Sequence, residues 1–279
     1  MTTAGLLRHD VNTAALSEWG VGGVARAVYT PSNEADLATF LAELRTDEPL
    51  LVLGQGAFLV VRNGGFPGML IRTVQLDAIR DEDAGLYVEA GTRCAQVAHH
   101  AAARGLAGFD WLAGVPGSIG GALMTNAGVG DRRLWTQVAA VNLLDRQGHA
   151  HRRSRESFGI GPLRAGGNRH PGETIAGVWL NADAQATADA PGQVFGARAI
   201  AQLFSPEDVT AVMDAAPVLD GAVRLDRASA QLHLDDSADA GALEAAIEAL
   251  CAAASRIAGR PVACRLRFVG ASYAGVQGS

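Results

Sequence analysis

Apolar positions recur with a helical period between Ser32 and Leu44, where Leu37, Phe40, Leu41 and Leu44 make one stripe. Ser32 or Asn33 can accept from the first amides, and Glu34 and Asp36 suit the positive end of that helix. Leu50–Leu53 is an unbroken apolar run that stops at Gly54-Gln55-Gly56, which predicts a buried strand running into a turn. Met69–Arg72, Leu86–Ala90, Val138–Leu144 and Thr174–Leu180 predict further strands, and residues 16–74 read as a β-α-β-turn-β unit. Arg93–Arg104 predicts a helix closed by Gly105. Arg152–His170, with five glycines and prolines, reads as a basic loop, and Ala182–Gly192 as a linker. Ser205-Pro206-Glu207-Asp208 opens a helix with a Ser cap and a first-turn Pro. Gln231–Leu234 alternates like a strand. Asp239–Ala258 is a long amphipathic helix with Leu243, Ile247, Leu250 and Ile257 on one face, and Val262–Val269 reads as a closing strand. No internal repeat is present. The class is α+β.

Composition narrows the chemistry. The 279 residues allow one large domain or two smaller ones. All 23 basic residues are arginine; the chain has no lysine. That excludes the usual P-loop NTPase, protein kinases and Schiff-base enzymes, each of which needs a lysine. A net charge of −6 argues against nucleic-acid binding. Met1–Asn12 has no apolar signal region, and no run reaches the roughly 18 apolar residues of a membrane span. Cys94, Cys251 and Cys264 are odd in number and lack metal spacing, which fits a reducing, cytoplasmic setting. His149 and His151 share a strand face but have no third ligand nearby, so no metal site is expected. Arg152, Arg153, Arg155, Arg164 and Arg169 form a basic cluster, read either as a solvated loop or as an anion site in which Arg164 is a weak catalytic candidate.

Two glycine-rich motifs stand out. In the first, Leu53, Gly54, Gln55, Gly56, Ala57, Phe58 and Leu59, a strand opens into a turn whose amides can face an anion. Position 59 is leucine, so this is not the dinucleotide fingerprint that opens a helix. The second contains Gly114, Val115, Pro116, Gly117, Ser118, Ile119, Gly120 and Gly121, followed by Asn126, Ala127 and Gly128. Pro116-Gly117 makes a turn, Ser118 can cap a helix beginning at Ile119, and that helix start favours a phosphate. Two such loops suggest a diphosphate clamped between two lobes.

The segments LSEWGVGGVAR, LLVLGQGAFLVVRNGGFPGMLIR and GFDWLAGVPGSIGGALMTNAGVGD occur in that order. Together they resemble UDP-N-acetylenolpyruvoylglucosamine reductases, the MurB family, over about residues 16–182. The resemblance implies an FAD-binding fold of the vanillyl-alcohol-oxidase, or PCMH, type. The lobes would be residues 1–74 and 75–182, with a shortened substrate-lobe-like region over 183–279. It implies an FAD with its pyrophosphate between Gly54–Leu59 and Gly114–Gly121; with no histidine or cysteine in either glycine motif, the FAD is expected to be non-covalent. The Asn126–Gly128 loop would lie near the flavin, and Gly177 and Val178 near the adenine.

The motifs that carry out that family's reaction are altered. A tyrosine-arginine pair is matched by Ile160 and Gly161, a Ser or Cys acid by Gln193, and a closing glutamate by Arg265. An amide cannot donate the proton such a reduction needs. The residues therefore point to an FAD-dependent oxidoreductase acting on another small substrate, in some biosynthetic role, with its acid or base unassigned. NADPH is left open as electron donor, as is the oligomeric state. Two alternatives stay open: a flavin-binding or flavin-free protein with a non-redox role, and a genuine reductase of this family whose acid and base lie elsewhere.

Overall fold

The computed structural model describes residues 5–161, 172–182, 196–216, 219 and 221–271. Strands Leu6–Asn12 (β1) and Val24–Thr30 (β2) precede helix Glu34–Glu43 (α1), followed by Leu50–Leu53 (β3), Leu59–Val61 (β4) and Phe66–Arg72 (β5). A four-stranded sheet runs in the order β1-β2-β5-β3, with β1 antiparallel to β2 and the other pairs parallel. The α1 cap is Asn33, whose side chain accepts from the Asp36 amide at 2.9 Å. Leu37 and Leu41 on α1 are fully buried against Tyr29 and Ile71 of the sheet.

Ile79–Glu82 (β6), Gly85–Glu89 (β7), Cys94–Ala103 (α2), Ile119–Met124 (α3), the short pair Gly128–Val129 (β8) and Arg132–Arg133 (β9), Val138–Leu144 (β10), Ala150–Ser154 (β11) and Thr174–Asn181 (β12) follow. They build an antiparallel five-stranded sheet, β11-β10-β12-β7-β6. One face packs α2 and α3 around Val97, Phe109, Leu112, Ile119 and Leu123. Gly105 closes α2 at φ +67°, a left-handed conformation that favours glycine.

The remaining elements are Ile200–Leu203 (α4), Val209–Ala215 (α5), Val223–Asp226 (β13), Gln231–Leu234 (β14), Ala240–Ala258 (α6) and Arg267–Val269 (β15). Their core joins Leu243, Ile247 and Leu250 of α6 to Phe204 and Val212, and it draws in Trp19, Ala57, Phe58 and Val60 from the first third of the chain. β15 pairs in parallel with β4, and Arg62 meets Glu244 of α6 through a two-pronged ion pair at 2.7–3.0 Å.

Four sequence expectations need correction, and one strand escapes the sequence altogether. Ile257, set on the apolar face of α6, is 53 % exposed. β1 is a strand that hydrophobic patterning does not reveal, because nearly all its residues are exposed. The run Arg152–His170 reads as loop in the sequence, yet Arg152–Ser154 complete the exposed edge strand β11, while residues 162–171 lie outside the described set. The closing strand is only Arg267–Val269, since the segment before it turns inward to bury Arg265 and Leu266. Ser205 makes no cap to a helical amide. Its hydroxyl donates to Asp208 at 2.6 Å, the next turn is the 3-10 stretch Pro206–Asp208, and the α-helix starts at Val209.

Candidate flavin site

The first glycine loop leaves β3 at Leu53 and is pinned from behind. Glu18 N donates to the Gly56 carbonyl at 3.1 Å, and Trp19 Nε1 to the Ala57 carbonyl at 2.8 Å. A peptide's N–H points opposite its C=O, so these bonds turn the Ala57 and Phe58 amides away from Glu18 and Trp19. Among the described residues, none of the amides of 54–58 has a protein acceptor. Gly56 sits at φ +77°, and a Cβ there would strike Leu16 and Ser17. This position requires glycine both for its conformation and for the close approach.

The second loop is held by β-type bonds: Cys94 N to Gly117 O at 3.1 Å and Ile119 N to Thr92 O at 2.9 Å. Gly120 N donates to Ala90 O at 2.8 Å, so this amide is spent on packing α3 against the end of β7. The amides of Gly117 and Ser118 have no described acceptor. Gly117 lies at φ +88°, and a Cβ there would meet Ala57 Cβ at 3.2 Å; one on Gly54 would run into Ser118 Oγ. The two glycine loops therefore face each other at contact distance, one at the end of each sheet.

Between them opens a cavity of about 320 Å³. All of Leu53–Leu59 line it, as do Pro116, Gly117, Ser118, Gly120 and Gly121. Gly114, Val115 and Ile119 are buried behind that wall. Ser118 is 2 % exposed, and its hydroxyl, instead of capping α3, has no partner. With only six residues, α3 adds little dipole, so the anion-binding power rests on loop amides and this hydroxyl. Farther along the lining, the fully buried Thr174 leaves Oγ1 unpartnered, and Arg146 leaves Nη1 buried without an acceptor while Nη2 holds Glu48 O at 2.9 Å. Buried donors without partners are costly in a finished structure, and here they line one cavity.

Asn126, Ala127 and Gly128 do not line the cavity, which reaches that segment through Met124 and Thr125. Asn126 is held at φ +46° with Nδ2 on Gly161 O at 2.6 Å, and its Oδ1 is buried and unpartnered. Gly177 and Val178 lie in the middle of β12. Val178 is core, and Gly177 makes room for Tyr87, whose hydroxyl joins Asn142 at 2.9 Å and Glu34 at 3.3 Å. The strand contributes Thr174 and Ile175 to the cavity instead. Arg164 and Gln193 lie outside the described residues. No cluster of metal-ligating side chains occurs among the described residues; His149 and His151 both approach Asp145, at 3.4 and 2.7 Å. Sequence reasoning missed Thr174 and Arg146, because a lone Thr at a strand start and a lone Arg in a hairpin turn carry no pattern.

Arg265, which the sequence reading sets against the resembling family's closing glutamate, is 4 % exposed. It donates through Nη1 to Gln202 O at 2.8 Å and Phe204 O at 3.0 Å, and through Nε to Thr125 O at 3.3 Å. Burial pulls its pKa down to about 10, and the Arg133 charge pushes the same way.

These loops fit a dinucleotide pyrophosphate: free amides on both sides, a buried hydroxyl, and glycines where a Cβ would close the gap. Residues 25–154 match the FAD binding domain family. The chain is 42 % identical over 158 residues to UDP-N-acetylenolpyruvoylglucosamine reductase of Alkalilimnicola ehrlichii, covering 56 % of this chain and 53 % of that protein. It is 40 % identical over 162 residues to the enzyme of the same name from Nitrosospira multiformis, covering 56 % and 47 %. The chain thus spans about half the length of these relatives. The crystal structure of UDP-N-acetylenolpyruvylglucosamine reductase (MurB) from Thermus caldophilus superposes with a TM-score of 0.72 at 20 % identity, over 95 % of this chain and all of that one. The chain is therefore similar to these reductases: it has the α+β fold of the MurB structure, and its residues 25–154 match an FAD binding domain. The likeness of fold extends through the C-terminal third, where the resemblance in sequence fades.

Proposed function

We propose that this chain is an FAD-dependent oxidoreductase that acts on a small molecule other than the enolpyruvyl nucleotide sugar of its relatives. The FAD is held non-covalently, since neither glycine loop offers a histidine or cysteine. Gly54–Phe58 and Gly117–Ser118 bind the pyrophosphate through backbone amides and the Ser118 hydroxyl. Thr174 and Arg146 serve the same cavity farther along its lining. When bound, FAD supplies a two-electron hydride carrier. The protein's share is to orient it and to exclude water, which the burial of Ala57 and Phe58 and the close approach of Gly117 to Ala57 support. Residues 1–74 and 75–182 are taken as the two lobes of the cradle, with 183–279 as the region that meets the substrate.

The observation that favours a changed substrate is Arg265. A glutamate there can take part in proton transfer. A buried arginine spent on three carbonyls cannot, because it stays protonated throughout the physiological range. The extensive likeness of fold favours the second reading, an ordinary reductase with its acid and base elsewhere. Two steps separate the readings. The purified protein is expected to be yellow and to release FAD on unfolding; colourless protein that takes up no FAD overturns the proposal. The reduced, FAD-loaded protein is then offered UDP-N-acetylglucosamine enolpyruvate without oxygen. Lack of flavin re-oxidation supports the proposal, and re-oxidation at an ordinary enzymatic rate supports the second reading.

A further inference from the structure

Arg265 is a cation sealed into the protein, and among the described residues no carboxylate bonds to it. All its described bonds go to neutral carbonyls. The charged group that bears on it most is another arginine, Arg133, whose own Nη1 is spent on the carbonyls of Gly130 and Arg132 at 2.6 and 2.8 Å. A guanidinium has five N–H donors, and Nε and Nη1 account for three; the two on Nη2 have no described acceptor.

The guanidinium stands directly behind the cavity wall. Thr125, whose carbonyl takes the Nε bond, lines the cavity, and so does Arg267, two residues along the chain. Its carbonyl partners come from two units: Thr125 from the end of α3, and Gln202 and Phe204 from the α4 region. The charge therefore has a fixed position relative to the cavity. At 4 % exposure it is also poorly screened by solvent and salt.

We propose that Arg265 acts on the bound flavin as a fixed, uncompensated positive charge that raises its reduction potential. Reduction adds negative charge to the flavin ring, and a nearby buried cation favours the form that carries more of it. Arg133 adds to the field from a more exposed position. This inference rests on the FAD reading above.

The test is the midpoint potential of the FAD-loaded protein, measured by equilibration with a reference dye, for wild type, Arg265→Gln, Arg265→Lys and Arg133→Gln. Removing the charge at 265 is expected to increase the oxidised-to-reduced ratio at a fixed poise about tenfold, the scale of one unit charge in a partly buried setting. Arg265→Lys, which keeps the charge, should stay near wild type. Arg133→Gln should move the same way as Arg265→Gln but by less. An unmoved potential in Arg265→Gln overturns the inference, and so does an equal shift in Gln and Lys, which would make Arg265 a strut only. Should the position 265 variants not fold, Arg133→Gln decides: a lowered potential supports the inference and an unchanged one overturns it. Wild-type protein that takes up no FAD overturns the functional reading together with this inference; a flavin whose potential ignores these residues overturns the inference alone.

Discussion

Ser118 shows how one side chain separates packing from binding. Its hydroxyl is buried and partnerless in the protein alone, so removing it relieves an unsatisfied group. Ser118→Ala is expected to leave the flavin-free protein as stable as wild type or more so, while weakening FAD binding roughly tenfold through the lost hydrogen bond. Thermal unfolding of apoprotein and a fluorescence titration with FAD check the two halves. Gly117→Ala should also cut FAD affinity, by at least tenfold, because the +88° φ and the Ala57 contact leave no unstrained place for a methyl group. The cysteines give a prediction of opposite kind. Burial pushes the Cys94 thiol up to about 12, so at pH 8 almost none is thiolate. A disulfide reagent should leave Cys94 unmodified in the native protein and label it once the chain unfolds. The glycine loops were legible in the sequence because glycine marks the backbone itself. The bonds that aim those amides come from Glu18 and Trp19, some forty residues earlier by the Trp19–Ala57 separation of 38, and no local pattern announces them.

At the scale of elements, the β10–β11 hairpin depends on Asp145. Its carboxylate accepts from the amides of Gln147 and His149, both at 2.9 Å, and meets His151 at 2.7 Å. The His151 hydrogen bond is the main reason the Asp145 pKa falls to about 2 from the usual 3.8. A folded value below the unfolded one stabilises above the unfolded pKa and is lost as pH falls through the folded one. Asp145→Ala should therefore cost about 1 kcal/mol near pH 6, and the gap to wild type should narrow as the pH falls toward 2. Chemical unfolding at both pH values measures this. The same hairpin marks where sequence reading stops. Val138–Leu144 is apolar because it lies between two strands in the sheet, and it was legible to the residue; its partner β11 is an exposed edge and looks like loop. α1 and α6 were legible because each has one buried stripe and one polar cap, Asn33 and Asp239, which accept from Asp36 N and Ala242 N.

At the scale of the molecule, the cradle and the C-terminal region share structure. Trp19, Ala57, Phe58 and Val60 belong to the same apolar cluster as α6, β15 pairs with β4, and Arg198 donates to Trp19 O at 2.9 Å. The loop that would hold FAD is thus braced by the region that would meet the substrate. Added FAD should raise the unfolding temperature of the whole chain in one transition, and at 100 times Kd the gain is about 2.7 kcal/mol. Two separate transitions, only one of them moved by FAD, would deny that coupling. This arrangement was not legible beforehand, since the sequence motifs fade after residue 182 and long-range packing leaves no periodic mark.

One anaerobic experiment tests the proposed joining of an FAD cradle to altered chemistry. FAD-loaded protein, reduced to completion, is mixed with UDP-N-acetylglucosamine enolpyruvate while the oxidised flavin band is followed. The account predicts that the band does not return. Its return at an ordinary enzymatic rate would contradict the account and restore the relatives' reaction to this chain.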